Sequence, residues 1–135
     1  MQINAYLGFN GNCAEAFKFY EKCLRGKIEM MMTGEDAPPD AQMSPEWKGL
    51  VLHARLNVAG GVLMGSDSPP NFYRPAQGMN VSLHIPDIAE AERVFNELSV
   101  GGNVTMAMEQ TFWAKRFGMV TDRFGTPWMI NCEAG

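Results

Sequence analysis

Long hydrophobic runs, basic clusters and paired cysteines are all missing from this chain. Its apolar stretches fall far short of the roughly 20 residues that a membrane-spanning helix needs, so no membrane partner is expected. No signal-peptide pattern opens the sequence. Lys and Arg number 11 against 15 Asp and Glu, a net charge of −4. A surface without a basic stripe cannot exchange counterions with a phosphate backbone, so no nucleic-acid partner is expected. The three cysteines, Cys13, Cys23 and Cys132, are an odd number, and no two have a metal-knuckle spacing. Cys13 and Cys23 lie on one predicted helix with about 15 Å of rise between them, too far for a disulfide. Reduced thiols and a cytoplasmic location are the expectation.

What remains is the composition of an ordinary globular chain. With 135 residues, 46% hydrophobic and 19% charged, it has room for one domain with a real core. Ile3–Phe9 alternates loosely and reads as a strand. Asn12 with Glu15 three residues on has the form of a capping box, and Ala14, Phe17, Tyr20 and Leu24 then recur at helical spacing, widened by Ala16 and Phe19. Gly26 is placed to end that helix. Lys27–Thr33 reads as a strand with Met30, Met31 and Met32 buried. Residues 34–49, rich in Pro and Asp, read as a long loop. Leu50–Val58 alternates strictly: Leu50, Leu52, Ala54, Leu56 and Val58 on one face, Val51, His53, Arg55 and Asn57 on the other. Val62–Ser66 follows as a strand, and Asp67 opens a second loop as a turn residue. Met79–Ile85 is a strand, Ala89–Leu98 a helix opened by Pro86-Asp87, and Asn103–Met108 a strand.

Glu109–Cys132 is the densest part of the chain. It holds five aromatics, Phe112, Trp113, Phe117, Phe124 and Trp128, against a chain average of 10%. Asp122-Arg123-Phe124-Gly125 separates two apolar runs and predicts an antiparallel hairpin. Two readings stand side by side: the aromatics close a sheet core, or Phe112 and Trp113 wall a ligand pocket.

The order strand, helix, three strands occurs twice. Ala14-Glu15-Ala16 recurs as Ala89-Glu90-Ala91, and Tyr20 and Gly26 match Phe95 and Gly101, all at an offset of 75. Later in each half the offset is 65, laying Gly60–Met64 over Gly125–Met129. Matching breakers at constant offset indicate two copies of one unit. The expectation is an α+β fold of two βαβββ modules, curved mixed sheets with one helix each, in a single domain over residues 1–135. The repeats span about 1–68 and 78–135, linked by loop 69–77.

Phe9-Asn10-Gly11-Asn12 leading to Ala16 and Phe19-Tyr20, then Gln110–Ala114, Val120-Thr121-Asp122 and Phe124–Asn131, resemble the vicinal-oxygen-chelate superfamily (glyoxalase, bleomycin-resistance protein, extradiol dioxygenase), within it the PhnB-like group. The resemblance covers essentially the whole chain. It implies metal-ligand positions at Ala5, Met64, Asn80 and Met129. Ala has no donor, Met is a poor ligand for hard or borderline metals, and Asn80 offers one weak carbonyl; no metal is expected. PhnB-like sequences often carry a ubiquinone-pathway methyltransferase label. A methyl donor would be held by a Gly-rich turn in a doubly wound sheet, and Phe9–Asn12 has a single glycine, so no cofactor is expected. No Arg or Lys cluster suits a phosphonate either. The resemblance also implies a homodimer.

The same positions suggest a concave face, apolar with a few polar groups, as small-molecule pockets are built. The candidate ligand-binding residues are His53, Arg55, Met64, Asn80, Ser82, Phe112, Trp113, Met129 and Asn131. His84 is the candidate general base, since its pKa range suits the role, and Glu109 is a second. The leading reading is a protein that binds a small, partly apolar molecule without a metal. The rival is an isomerase or lyase acting on a small oxygenated substrate through His84 or Glu109, or through a metal held elsewhere.

Overall fold

Both periodicities resolve, in a computed structural model, into two successive βαβββ units, Met1–Arg74 and Pro75–Gly135. The structure describes residues 1–41, 43–69 and 71–133; Gln42 and Pro70, read above as loop positions, and the last two residues lie outside it. The first unit comprises β1 (Ala5–Phe9), α1 (Cys13–Cys23), β2 (Lys27–Thr33), β3 (Val51–Val58) and β4 (Gly61–Asp67). The second comprises β5 (Val81–His84), α2 (Ile88–Leu98), β6 (Asn103–Glu109), β7 (Ala114–Thr121) and β8 (Pro127–Glu133). The sheets have the orders β1-β4-β3-β2 and β5-β8-β7-β6. In each, the first strand runs parallel to the last and the other pairings are antiparallel. The α+β assignment, the repeat and the closing hairpin are as expected. The loop over 34–49 holds three short 3-10 turns, at Gly34–Asp36, Pro39–Ala41 and Pro45–Trp47.

Each helix covers one face of its own sheet. On α1 the buried residues are Cys13, Ala16, Phe17, Tyr20 and Cys23, so two cysteines complete a stripe that the sequence assigned to Ala14 and Leu24. On α2 they are Ala91, Val94, Phe95 and Leu98, the i, i+3, i+4, i+7 spacing of an amphipathic helix. The close approach needs glycine in the sheet. A Cβ on Gly65 would lie 2.9 Å from the Phe17 ring, and one on Gly118 would lie 2.8 Å from the Phe95 ring.

The first helix begins and ends differently from expectation. Asn12 sits at its N-cap but makes no side-chain capping bond. Asp67 supplies the anion instead. Its carboxylate accepts the N–H groups of Gly11 and Cys13 on one oxygen, both at 3.0 Å, and that of Val51 on the other at 2.8 Å. It is buried and ties the end of β4 to the start of α1 and the start of β3, which is far more than a turn residue does. A carboxylate at a helix N-terminus is also favoured by the helix dipole. At the other end Arg25, not Gly26, takes the left-handed conformation (φ 52°). Gly26 is required for space, since a Cβ there would meet the Asn57 carbonyl oxygen at 2.6 Å. In the second unit Asp87 caps α2 by accepting from Glu90 N–H at 2.9 Å.

Two expectations about strand faces are corrected by the ladders. Tyr6 pairs with Met64, while Ala5 pairs with Leu63 and Phe9 with Asp67. Ala5, Leu7 and Phe9 therefore share the helix side, and Tyr6 and Gly8 share the face of Met64, because a slip of one residue reverses the face. Val51 is buried while His53, Arg55 and Asn57 stay on the opposite face; the ladder is irregular between Met32 and Thr33, which shifts the phase at the strand's start. Met30 and Met32 are 43% and 37% exposed rather than buried, since β2 is an edge strand and they pair with Arg55 and His53 on the helix-free face.

Cys13, Cys23 and Cys132 are all free and buried. Burial pushes the Cys13 thiol up from 9.0 to about 12, with the Asp67 carboxylate adding to the rise. The dipole at the helix start is thus overridden, and Cys13 is an inert core residue. Because the folded thiol holds its proton where the unfolded one loses it, stability is intact below pH 9.0 and falls as pH climbs toward about 12. Urea unfolding at pH 8, 9.5 and 10.5 should show this fall, reduced in Cys13→Ala. An equal fall in Cys13→Ala would remove Cys13 as its cause.

Candidate functional site

The helix-free face of each sheet is built from the same two cross-strand rows. In the first unit the ladders align Tyr6, Met64, Arg55 and Met30 in one row, with Met32 beside His53 in the next. In the second unit they align Ser82, Met129, Met119 and Met106, and beside them His84, Asn131, Phe117 and Glu109. Paired residues on neighbouring strands point the same way. Eight of the sequence candidates thereby fall on these rows: His53, Arg55 and Met64 in the first unit, and Ser82, His84, Glu109, Met129 and Asn131 in the second.

Contacts across the first face are specific. Tyr6 stacks on His53 with ring centroids 5.7 Å apart, and its hydroxyl lies 3.2 Å from His53 Nδ1. Arg55 donates to Glu29 at 2.7 Å and reaches Met64 Sδ at 3.9 Å, while Asn57 donates to the other Glu29 oxygen at 2.6 Å. Glu29 therefore neutralises Arg55 and fixes the plane of its guanidinium. Tyr6, Glu29 and Met30 escaped the sequence reading; strand phase, once the register is known, identifies Tyr6 and Met30, while Glu29 is brought to the same face by the irregularity of the ladder between Ile28 and Met30.

On the second face His84 Nδ1 lies 3.4 Å from the Asn131 side-chain amide and 3.3 Å from Glu133 Oε1. His84 and Glu109 sit on the two edge strands of the sheet, three strand spacings or about 14 Å apart, so they do not act on one atom together. Asn80 immediately precedes β5, in the same alternation as Ser82. Trp113 packs edge-on against Phe117 at 5.3 Å and against Phe112 at 4.8 Å. Trp113 is half exposed and Phe112 is 96% exposed, so the pair extends the apolar row past the strand ends. An open groove of about 490 Å³, lined by Arg25, Lys27, Asn57 and Val62 among others, lies elsewhere in the first unit, and none of the sequence candidates lines it.

The aromatic hairpin has a different role. Asp122, buried in its turn, accepts from Phe124 N–H and Thr126 N–H on one oxygen, at 2.8 and 3.0 Å. Its other oxygen accepts from the Trp128 indole N–H at 2.8 Å. Trp128 is fully buried on the helix side. Val120–Trp128 is a folding device and supplies no side chain to the rows described above apart from the neighbouring Met129.

The face residues also decide what a metal would meet. Register places Tyr6 opposite Met64 and Ser82 opposite Met129, replacing Ala5 and Asn80 as the paired positions. Two thioethers, a phenol and an aliphatic hydroxyl are weak donors for the divalent ions that His and carboxylates hold. Among the described residues no group of three or more His, Cys, Asp or Glu side chains is gathered. The residues at these positions do not fit a catalytic metal.

Comparison with known proteins agrees with this architecture. Residues 1–131 match the family model described as 3-demethylubiquinone-9 3-methyltransferase. The crystal structure of protein PA1353 from Pseudomonas aeruginosa is 48% identical, covers 98% of both chains and superposes with a TM-score of 0.91. A PhnB protein from Bacillus cereus, 23% identical over 98% of this chain and 99% of its own, superposes with a TM-score of 0.82. The fold is also that of a glyoxylase/bleomycin resistance protein/dioxygenase domain from Frankia, at a TM-score of 0.67 with 9% identity over 98% of this chain and 95% of that one. The chain belongs to the family described as 3-demethylubiquinone-9 3-methyltransferase, the PhnB-like group, on the glyoxalase/bleomycin-resistance/dioxygenase fold.

Proposed function

We propose that this protein binds a small, partly apolar molecule on the helix-free face of its sheets, without a metal, in a reducing compartment such as the cytoplasm. The observation that carries the reading is the repeated methionine row: Met30 and Met64 in one unit, Met106, Met119 and Met129 in the other, flanked by His, Asn, Ser and a charge-balanced Arg. Methionine adapts its shape to an apolar guest, and the few polar groups orient it. The free, buried cysteines support the compartment, and among the described residues no helix is long and apolar enough to cross a membrane.

The family description names a methyl transfer, and the helix starts here do not suit a bound methyl donor. The Phe9–Cys13 turn has one glycine and already holds the Asp67 carboxylate, and the start of α2 is closed by its own Asp87.

Screening apolar oxygenated compounds by thermal shift, followed by calorimetry of the best one, tests the reading. Affinity should survive EDTA. Met129→Lys should weaken it at least tenfold, because an ammonium would have to be desolvated against the guest. Val100→Lys, at an exposed site beyond α2, should leave it unchanged. Affinity that appears only with added metal, or that ignores Met129→Lys, would overturn the proposal.

A further inference from the structure

We infer that Glu133 and Asn131 hold His84 as a base whose outer nitrogen takes the proton of an acidic hydroxyl, an enol or a phenol, on the ligand of the second sheet. The inference rests on the reading that this face holds the ligand.

His84 Nδ1 faces Glu133 Oε1 at 3.3 Å and the Asn131 amide at 3.4 Å. A carboxylate only accepts, so the ring nitrogen facing it carries the hydrogen. Nδ1–H is thereby fixed, and Nε2 keeps its lone pair. The structure turns the Asn131 amino group toward Nδ1; the two ends of an amide are interchangeable, and an Nδ1–H draws the oxygen round to face it, which puts the amino group on the far side. Asn131 is 8% exposed, and its amide oxygen, turned away from His84 in the structure, is buried without a hydrogen-bond partner among the described residues. Buried polar groups are nearly always satisfied, and no partner on the far side of the amide opposes this reversal.

The row supplies the rest of the surroundings. Ser82 and Met129 precede His84 and Asn131 on the same face, and Phe117 follows. An aromatic or enolic ring would lie against Met129 and Phe117 with its hydroxyl at His84. The ligand O–H bond then breaks, Nε2–H forms, and the electron pair stays on the ligand oxygen. The imidazolium produced faces the Glu133 carboxylate, which stabilises it. Glu133 and Asn131 are positioning residues here; His84 is the group that touches the ligand.

Long-range 1H–15N spectra of the ligand-free protein at pH 8 read the ring tautomers directly, with His53 as the internal comparison. His84 should be the Nδ1–H form, and Glu133→Ala should shift it toward the Nε2–H form that free histidine prefers. A Nε2–H ring in the wild type, or a tautomer indifferent to Glu133→Ala, overturns the inference. 4-Nitrophenol, at a pH where the free probe is mostly neutral, reads the proton transfer. Bound to the wild type it should show the yellow phenolate band. With His84→Gln it should still shift the Met129 methyl but stay neutral, and Glu133→Ala should cut the phenolate fraction at least threefold. A bound but neutral probe in the wild type, or no binding of it at all, overturns the assigned ligand class. Binding that leaves Met129 unperturbed would sink the binding-face reading instead, while the tautomer result stands on its own.

Discussion

Asp122→Ala lowers stability by about 3–5 kcal/mol, the larger of two effects expected from single carboxylates that never touch a ligand. The carboxylate accepts three hydrogen bonds, two from the backbone of its own turn and one from the Trp128 indole. Each donor stranded without a partner costs about 1–3 kcal/mol, and water entering the turn recovers part of that for the two backbone groups. The indole has no such relief, because Trp128 is fully buried under the helix side of the sheet. Asp122→Asn keeps one oxygen for the backbone pair but turns an amino group toward the indole N–H, and should lose about half as much. Trp128→Phe removes the donor and leaves the carboxylate oxygen facing an apolar ring. Urea unfolding monitored by tryptophan fluorescence measures the first two variants, and circular dichroism the third. A loss below about 1 kcal/mol in Asp122→Ala would show that the turn holds without its carboxylate.

Asp67→Ala should cost a similar amount, about 3–4 kcal/mol, by a different route. Its three donors, Gly11, Cys13 and Val51, lie 16 to 56 residues away in sequence. Removing the carboxylate uncouples the start of α1 from the ends of two strands and takes a negative charge from the helix N-terminus. Asn12, at the N-cap, makes no side-chain capping bond alongside it. Amide exchange separates this from general loosening: the N–H groups of Gly11, Cys13 and Val51 should lose protection far more than those of β5–β8. Uniform loss of protection across the chain would mean that Asp67 is one core residue among many.

These two aspartates also show where a sequence can be read and where it cannot. The hairpin around Asp122 was legible because its turn residues, aromatic runs and glycine are contiguous. Its density in aromatics fits two readings, a sheet core and a pocket wall at Phe112 and Trp113; Trp128 and Phe124 are buried as the core reading expects, while Phe112 and Trp113 stay exposed. Asp67 carried no local signal, because every donor it serves lies in another element. The helices and strands followed from period alone, and the repeat from matched breakers. Which face a residue takes depended on register, a long-range property. The alternation of β1 alone allows either Ala5 or Tyr6 beside Met64, and only the parallel pairing with β4 puts Tyr6 there. The apolar run Met30–Met32 predicts burial, and nothing local in it says that β2 is an edge strand. His53, Arg55, Met64, Ser82, His84, Met129 and Asn131 fell on the helix-free faces because simple alternation from one correct position carries along a strand.

The account's central claim is that the methionine rows on the helix-free faces are the binding surface. The most direct measurement is the 1H–13C spectrum of protein labelled at the methionine methyls, titrated with 1-naphthol in the presence of EDTA. The aromatic ring of the probe shifts any methyl it lies against. The account predicts saturable shifts concentrated on the row methionines, with Met129 and Met119 foremost, while Met1, Met43 and Met79, exposed outside the rows, stay in place. Shifts spread over those three, or none at the row methyls at a saturating concentration, would contradict it.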